Sequence, residues 1–127
     1  MSTRKPVVAV IDDDLDLLLG LDEMLLSLGY RTELYSSAEQ FLNTVPRSQA
    51  TCLVVDVNLD EITGIEMVRH LHAEGVRFPL VFMSGNVDEA VLQQAAELSP
   101  ADFLQKPFSS RRLADAIKKM LGVTCGE

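Results

Sequence analysis

At 127 residues with 47% hydrophobic content, the chain is the size of one globular domain with one substantial core; two domains would each be too small. A formal charge of -8 argues against nucleic-acid or anionic-membrane binding by this domain, since both need clustered Lys and Arg, and favours a cation or a basic partner. Cys52 and Cys125 have neither the number nor the spacing of a disulfide framework or zinc site, and no apolar run approaches the ~20 residues that cross a bilayer, so a soluble cytoplasmic protein is expected.

The first predicted element is the apolar strand Val7 to Ile11, which runs straight into Asp12, Asp13 and Asp14. Leu15 to Leu28 has helical spacing, with Leu18, Leu21, Leu25 and Leu28 on one face, Asp14 as its cap and Gly29 as its stop. Leu17 and Leu21 widen that face to one side, which fits either a broad core contact or a docking surface. A weaker strand at Arg31 to Tyr35 leads to a short helix, Ala38 to Val45, capped by Ser36 or Ser37 and ended by Pro46.

Strand Cys52 to Val55 is followed by helix Gly64 to Ala73, with Ile65, Val68, Leu71 and His72 at helical steps and Gly75 closing it. His70 and His72, two residues apart, fall on different faces and read as neither ligand nor phosphoacceptor. Strand Leu80 to Met83, helix Val87 to Leu98, a weaker strand Ala101 to Gln105 and helix Ser109 to Leu121 complete the order. Leu113, Ile117, Met120 and Leu121 share one side of the last helix, behind a capping serine.

Five strands alternating with five helices predict parallel right-handed crossovers in a three-layer α/β sandwich, over a single domain 1–127 with its core at about 6–122. In such a sheet the site lies beyond the carboxyl ends of the strands. Those ends carry Asp12 and Asp13 after the first strand, Asp56 at the third, Ser84 after the fourth and Lys106 after the fifth. Clustered carboxylates raise one another's pKa unless a cation is present, and Mg²⁺ favours oxygen donors while keeping several waters. Asp13 and Asp56 are therefore assigned as direct ligands of Mg²⁺ or Mn²⁺, with the Asn58 carbonyl as a third and Asp12 in support through water. Lys106 supplies a positive charge able to pair with Asp56, Ser84 a hydroxyl donor, and Gly85 space for a bulky anion. Together these groups describe Asp56 as a nucleophile toward phosphorus, with an acyl phosphate as product.

The acids of "IDDD", Asp56 in "LVVDVNLD", the "MSG" and the "FLQKPF" resemble the receiver domains of two-component response regulators over essentially the whole chain. The resemblance implies a flavodoxin-like fold with strand order 2-1-3-4-5 and phosphoryl transfer from the phosphohistidine of a sensor histidine kinase or phosphotransfer protein that docks beside the first helix. Asp56 then resembles the phosphoacceptor, Asp12 and Asp13 the acidic pair, Lys106 the family's lysine, Ser84 the switch hydroxyl and Phe103 the aromatic switch. It further implies a cis Lys106–Pro107 bond, hydrolysis of the chain's own acyl phosphate, and a homodimer or output contact through the fourth helix, fifth strand and fifth helix. Asn58 and Asn86 stand where they can tune the lifetime of the phosphoryl group.

Two positions depart from the family pattern: Asp60 stands where proline is usual, and Pro100 stands where a glycine-containing turn is common. A phosphatase of the haloacid dehalogenase type needs an acid two positions after the nucleophile, and that position is Asn58. A pseudo-receiver, acting as an interaction module without phosphorylation, usually lacks the acceptor, an acid or the lysine, and all are present. A flavin or nucleotide binder lacks its glycine-rich loop after the first strand. The closing "GVTCGE" leaves open a stand-alone receiver or the front of a longer regulator.

Overall fold

A computed structural model describes residues 5–59, 62–86, 89–98 and 101–125. Five strands, β1 (Val7–Ile11), β2 (Arg31–Tyr35), β3 (Cys52–Asp56), β4 (Leu80–Ser84) and β5 (Ala101–Gln105), form one parallel sheet in the order β2-β1-β3-β4-β5. The helices between and after them are α1 (Leu15–Ser27), α2 (Ala38–Thr44), α3 (Gly64–Ala73), α4 (Glu89–Ala96) and α5 (Ser110–Cys125). This is the flavodoxin-like order expected from the sequence.

The two faces of the sheet explain why the inner strands read as unbroken apolar runs. Side chains alternate across a strand, so both faces must be covered for every position to be buried. Ala9, Ile11, Leu53, Val55, Leu80 and Phe82 face Phe41 of α2, Ile65, Val68 and Leu71 of α3 and Ala95 of α4. Val8, Val10, Cys52, Val54, Val81, Met83 and Leu104 face Leu18, Leu21 and Leu25 of α1 and Leu113, Ile117 and Met120 of α5. Burial pushes the Cys52 thiol up to about 12, so it is an inert core group.

Several boundaries differ from the sequence reading for local physical reasons. β3 and β4 each extend one residue further, taking Asp56 and Ser84 into the ladder opposite Met83 and Gln105. The second helix ends at Thr44, one residue short of the expected Val45, and Pro46 falls in a 3-10 turn over Val45–Arg47, where proline's missing N–H is no loss. Leu28 leaves the core stripe of α1 and is 38% exposed. The helix ends at Ser27, Gly29 takes the left-handed conformation at φ +96°, and the Tyr30 N–H returns to the Leu25 carbonyl. α5 runs to Cys125, beyond the expected Leu121. The expected start of the fourth helix at Val87, and Asp60 and Pro100, lie outside the described residues.

Candidate metal and phosphoryl site

The site assembles where β1, β3, β4 and β5 end. The Asp12 N–H donates to the Tyr35 carbonyl at 3.0 Å, continuing the β1–β2 ladder and holding Asp12 fully buried. Asp12 Oδ1 accepts the Asp14 N–H at 2.9 Å, while Asp14 Oδ1 caps α1 by accepting the Leu17 N–H at 3.2 Å. The triplet therefore divides into a buried Asp12, a half-buried Asp13 and an exposed capping Asp14.

Asp56 closes β3 and is nearly buried, with Oδ1 accepting the Asn58 N–H at 2.9 Å. Gly64 lets the start of α3 approach this point, because a Cβ there would overlap the Asp56 carbonyl oxygen and stand 2.7 Å from Val55 Cγ1. Ser84 is buried at the end of β4; its hydroxyl donates to the Asn86 carbonyl at 3.1 Å and accepts the Asn86 N–H at 3.1 Å and the Asn58 side-chain amide at 3.4 Å. Asn58 and Asn86 are themselves exposed.

The Lys106 N–H donates to the Ser84 carbonyl at 2.8 Å, and the Lys106–Pro107 peptide is cis. From this anchor the Lys106 ammonium reaches Asp56 Oδ2 at 2.9 Å and Asp12 Oδ2 at 3.0 Å. The sequence reading paired Lys106 with Asp56 alone; its second bond, to Asp12, links β5 to both acid-bearing strands. No local pattern signals that contact, because the two residues are 94 positions apart.

Burial raises the Asp12 carboxyl above its ordinary value, with the Asp56 charge adding to it and the Asp14 N–H and Lys106 opposing. Burial alone would lower Lys106, but hydrogen bonds to Asp56 and Asp12, and their charges, raise it overall and keep the ammonium charged. Carboxylate oxygens of Asp12, Asp13 and Asp56 all lie within 4.8 Å of one another. Three ionised carboxylates against one ammonium leave a formal excess of two negative charges (3 − 1 = 2). An all-oxygen donor set with that charge matches a hard divalent cation.

Beside this cluster, Leu17, Gly20 and Met24 of α1 face Lys106, Pro107 and Phe108 across a groove of about 370 Å³. On the far side of the sheet, half-buried Phe103 lines a groove of about 200 Å³ with Leu92, Ala95 and Ala96 of α4. Phe103 is thus apart from the carboxylates, on the helical face formed by α4 and β5. Of the predicted residues, Asp12, Asp13, Asp56, Ser84 and Lys106 meet at one place, with Asn58 and Asn86 flanking it.

A family model described as the response regulator receiver domain matches residues 8–118. The response regulator protein TodT of Pseudomonas putida is 37% identical over 121 residues, covering 95% of this chain and 53% of that protein. The transcriptional regulatory protein FixJ of Bradyrhizobium diazoefficiens is 34% identical over 119 residues, covering 94% of this chain and 58% of its own. The chain therefore spans about half the length of the curated relatives it matches. The crystal structure of full-length FixJ from B. japonicum superimposes with a TM-score of 0.86 at 34% identity, over 94% of this chain and 59% of that one. A receiver domain from an HD-domain protein of Pseudomonas fluorescens Pf-5 gives a TM-score of 0.88 at 19% identity, over 98% of this chain and 100% of that one, a likeness of fold alone.

Proposed function

The chain belongs to the response regulator receiver family, and on that premise we propose that Asp56 accepts a phosphoryl group from the phosphohistidine of a sensor histidine kinase or phosphotransfer protein. The observation that carries this reading is the Lys106 ammonium held between Asp56 and Asp12, with three acids gathered at the strand ends. That arrangement supports the reading, because phosphoryl transfer needs a nucleophilic carboxylate beside a fixed cation where charge develops.

In the reaction, an Asp56 carboxylate oxygen forms a bond to phosphorus as the bond from phosphorus to the donor's imidazole nitrogen breaks, the electron pair leaving with the nitrogen. Lys106 can pass from the Asp56 carboxylate to a phosphoryl oxygen, keeping its charge matched before and after transfer. Asp13, Asp56 and the Asn58 carbonyl would hold Mg²⁺ or Mn²⁺, with Asp12 in support. When bound, the ion supplies charge neutralisation for the phosphoryl oxygens. The fully buried Asp12 also carries the direct bond from Lys106, so it positions the ammonium as well.

In hydrolysis a water oxygen forms a bond to phosphorus as the bond from phosphorus to the Asp56 oxygen breaks, releasing inorganic phosphate and returning Asp56 as a carboxylate. Asn58 and Asn86 are neutral amides, able to orient or obstruct that water but not to deprotonate it. Ser84 exchanges its bonds to Asn86 for one to the phosphoryl group, and Phe103 rotates inward toward the vacated space. That couples the site to the surface of α4, β5 and α5, where a homodimer or output partner binds. The donor docks beside α1, over the groove of Leu17, Met24 and Phe108. The setting is cytoplasmic; no helix among the described residues is long and apolar enough to cross a membrane.

The test is incubation with acetyl phosphate and Mg²⁺ followed by intact-mass measurement. A Mg²⁺-dependent, alkali-labile gain of one phosphoryl group in the wild type, absent in Asp56→Asn, is expected. No gain in the wild type would leave a pseudo-receiver, and sustained turnover of many equivalents would indicate a phosphatase.

A further inference from the structure

α1 carries apolar surface on two flanks, and only one of them adjoins the site. Opposite the Lys106–Phe108 groove, Leu15, Leu19 and Leu26 are 63%, 61% and 52% exposed. At about 100° per residue these three fall within about 40° of arc, so they form a single ridge roughly 16 Å long. Under the ridge, between α1 and the β2–α2 side, lies a groove of about 340 Å³ lined by Leu15, Leu18, Leu19, Leu34, Ser36 and Gln40. Its polar wall is already bonded to itself, since Gln40 Oε1 accepts the Ser36 N–H at 2.8 Å, so the rest of the lining offers leucine surface. β2 is the edge of the sheet, and no described element packs outside it. A lone exposed leucine is ordinary, but three aligned over a leucine-floored groove form a contiguous apolar patch.

Charge decides what covers the patch. α1 carries Asp16, Asp22 and Glu23, α2 carries Glu39, and neither helix contains a Lys or Arg. A second copy of the chain would set these acids against their own images, in addition to a formal charge of -8 on each molecule. A helix with aliphatic residues at i, i+3 or i+4, and i+7, flanked by Lys and Arg, would bury the ridge and neutralise its rim. We propose that this flank of α1, with the β2–α2 groove, docks a basic amphipathic helix of a partner protein, about three turns long. The surface is separate from the groove that receives the phosphoryl donor, so both can be occupied at once.

The probe is a fluorescein-labelled 14-residue Leu/Lys amphipathic peptide, titrated with the whole chain and followed by anisotropy. L15Q/L19Q is expected to bind roughly tenfold or more weakly than wild type, and a Leu/Glu peptide of the same pattern to lose affinity to a similar degree. L92Q, which alters an exposed leucine of α4, should bind within about twofold of wild type. Circular dichroism and acetyl phosphate labelling of L15Q/L19Q should be unchanged, which separates loss of docking from loss of fold or of phosphoacceptance. Equal affinity of L15Q/L19Q and wild type, or equal binding of the Leu/Glu peptide, would overturn the proposal. So would a concentration-dependent dimer abolished by L15Q/L19Q, which would assign the ridge to self-association.

Discussion

Asp12 has two bonded partners, yet its pKa is raised, because burial outweighs the Asp14 N–H and the Lys106 ammonium. An acid held above its usual 3.8 binds its proton more tightly folded than unfolded. Stability therefore falls as pH rises from about 3.8 through the folded value, and the loss persists at neutral pH unless a cation offsets it. Asp12→Asn keeps one side-chain oxygen, enough for the Asp14 N–H, and gives up the second, which accepts Lys106, while removing the buried charge; Lys106 retains its bond to Asp56. Urea unfolding of the metal-free protein should show Asp12→Asn more stable than wild type at pH 7, with a flatter dependence across the acid range. A wild type that gains stability from pH 4 to 7 more steeply than the variant would contradict that sign. The sequence disclosed Asp12 as part of an acidic pair because three acids end an apolar strand. It did not disclose the direct Lys106 bond, which exists only after four strand ends converge.

Elements were legible where one physical rule dominates. Unbroken apolar runs marked β1, β3 and β4, and the Gly29 and Gly75 stops, at φ +96° and +81°, marked the ends of α1 and α3. Boundaries slipped where a polar residue occupies the last ladder position, as Asp56 and Ser84 do, since their burial depends on partners distant in sequence. Gly64 shows how an element can act on the site without touching it. A methyl there has only backbone and a β-branched side chain to displace, so Gly64→Ala should cost on the order of 1–3 kcal/mol and slow acetyl phosphate labelling by moving Asp56. Labelling at the wild-type rate with intact stability would show that the close approach is not needed. On the edge strand, Glu33 accepts the Tyr35 hydroxyl at 2.8 Å, the Ser48 hydroxyl at 2.7 Å and the Gln49 N–H at 3.0 Å, tying β2 to the segment before β3. Burial alone would raise this carboxyl, but those three donors lower it below 4.5. Its contribution is thus complete above pH 4.5 and lost as pH falls through the folded value. Glu33→Gln should lose on the order of 1 kcal/mol at pH 7 and show a smaller further loss on acidification than wild type, measured by urea unfolding at pH 7 and pH 3. Contacts spanning 15 residues leave no periodic trace, so this network was invisible in the sequence.

At the scale of the molecule, the -8 charge is unevenly consequential. Exposed acids are screened by salt over about 10 Å at 0.1 M, but Asp12 and Asp56 are buried and their repulsion is screened far less. The cluster's formal excess of two negative charges is therefore a local cost that monovalent salt relieves poorly and a bound divalent cation relieves directly. A ligand that binds only the folded state stabilises it by RT ln(1 + [L]/Kd), so Mg²⁺ at ten times its Kd contributes about 1.4 kcal/mol, or several degrees in Tm for a domain of this size. Thermal unfolding at constant ionic strength, exchanging NaCl for MgCl₂, should therefore raise Tm in the wild type. Asp13→Asn should lose most of that rise if Asp13 is a ligand as proposed, because it removes that carboxylate while keeping the groups of the Lys106 bonds to Asp12 and Asp56. An equal rise in Asp13→Asn, or an equal effect from NaCl alone, would mean that the cation acts on the diffuse surface charge. A rise confined to Mg²⁺ and dependent on Asp13 would locate it at the strand ends, where the sequence first concentrates its acids.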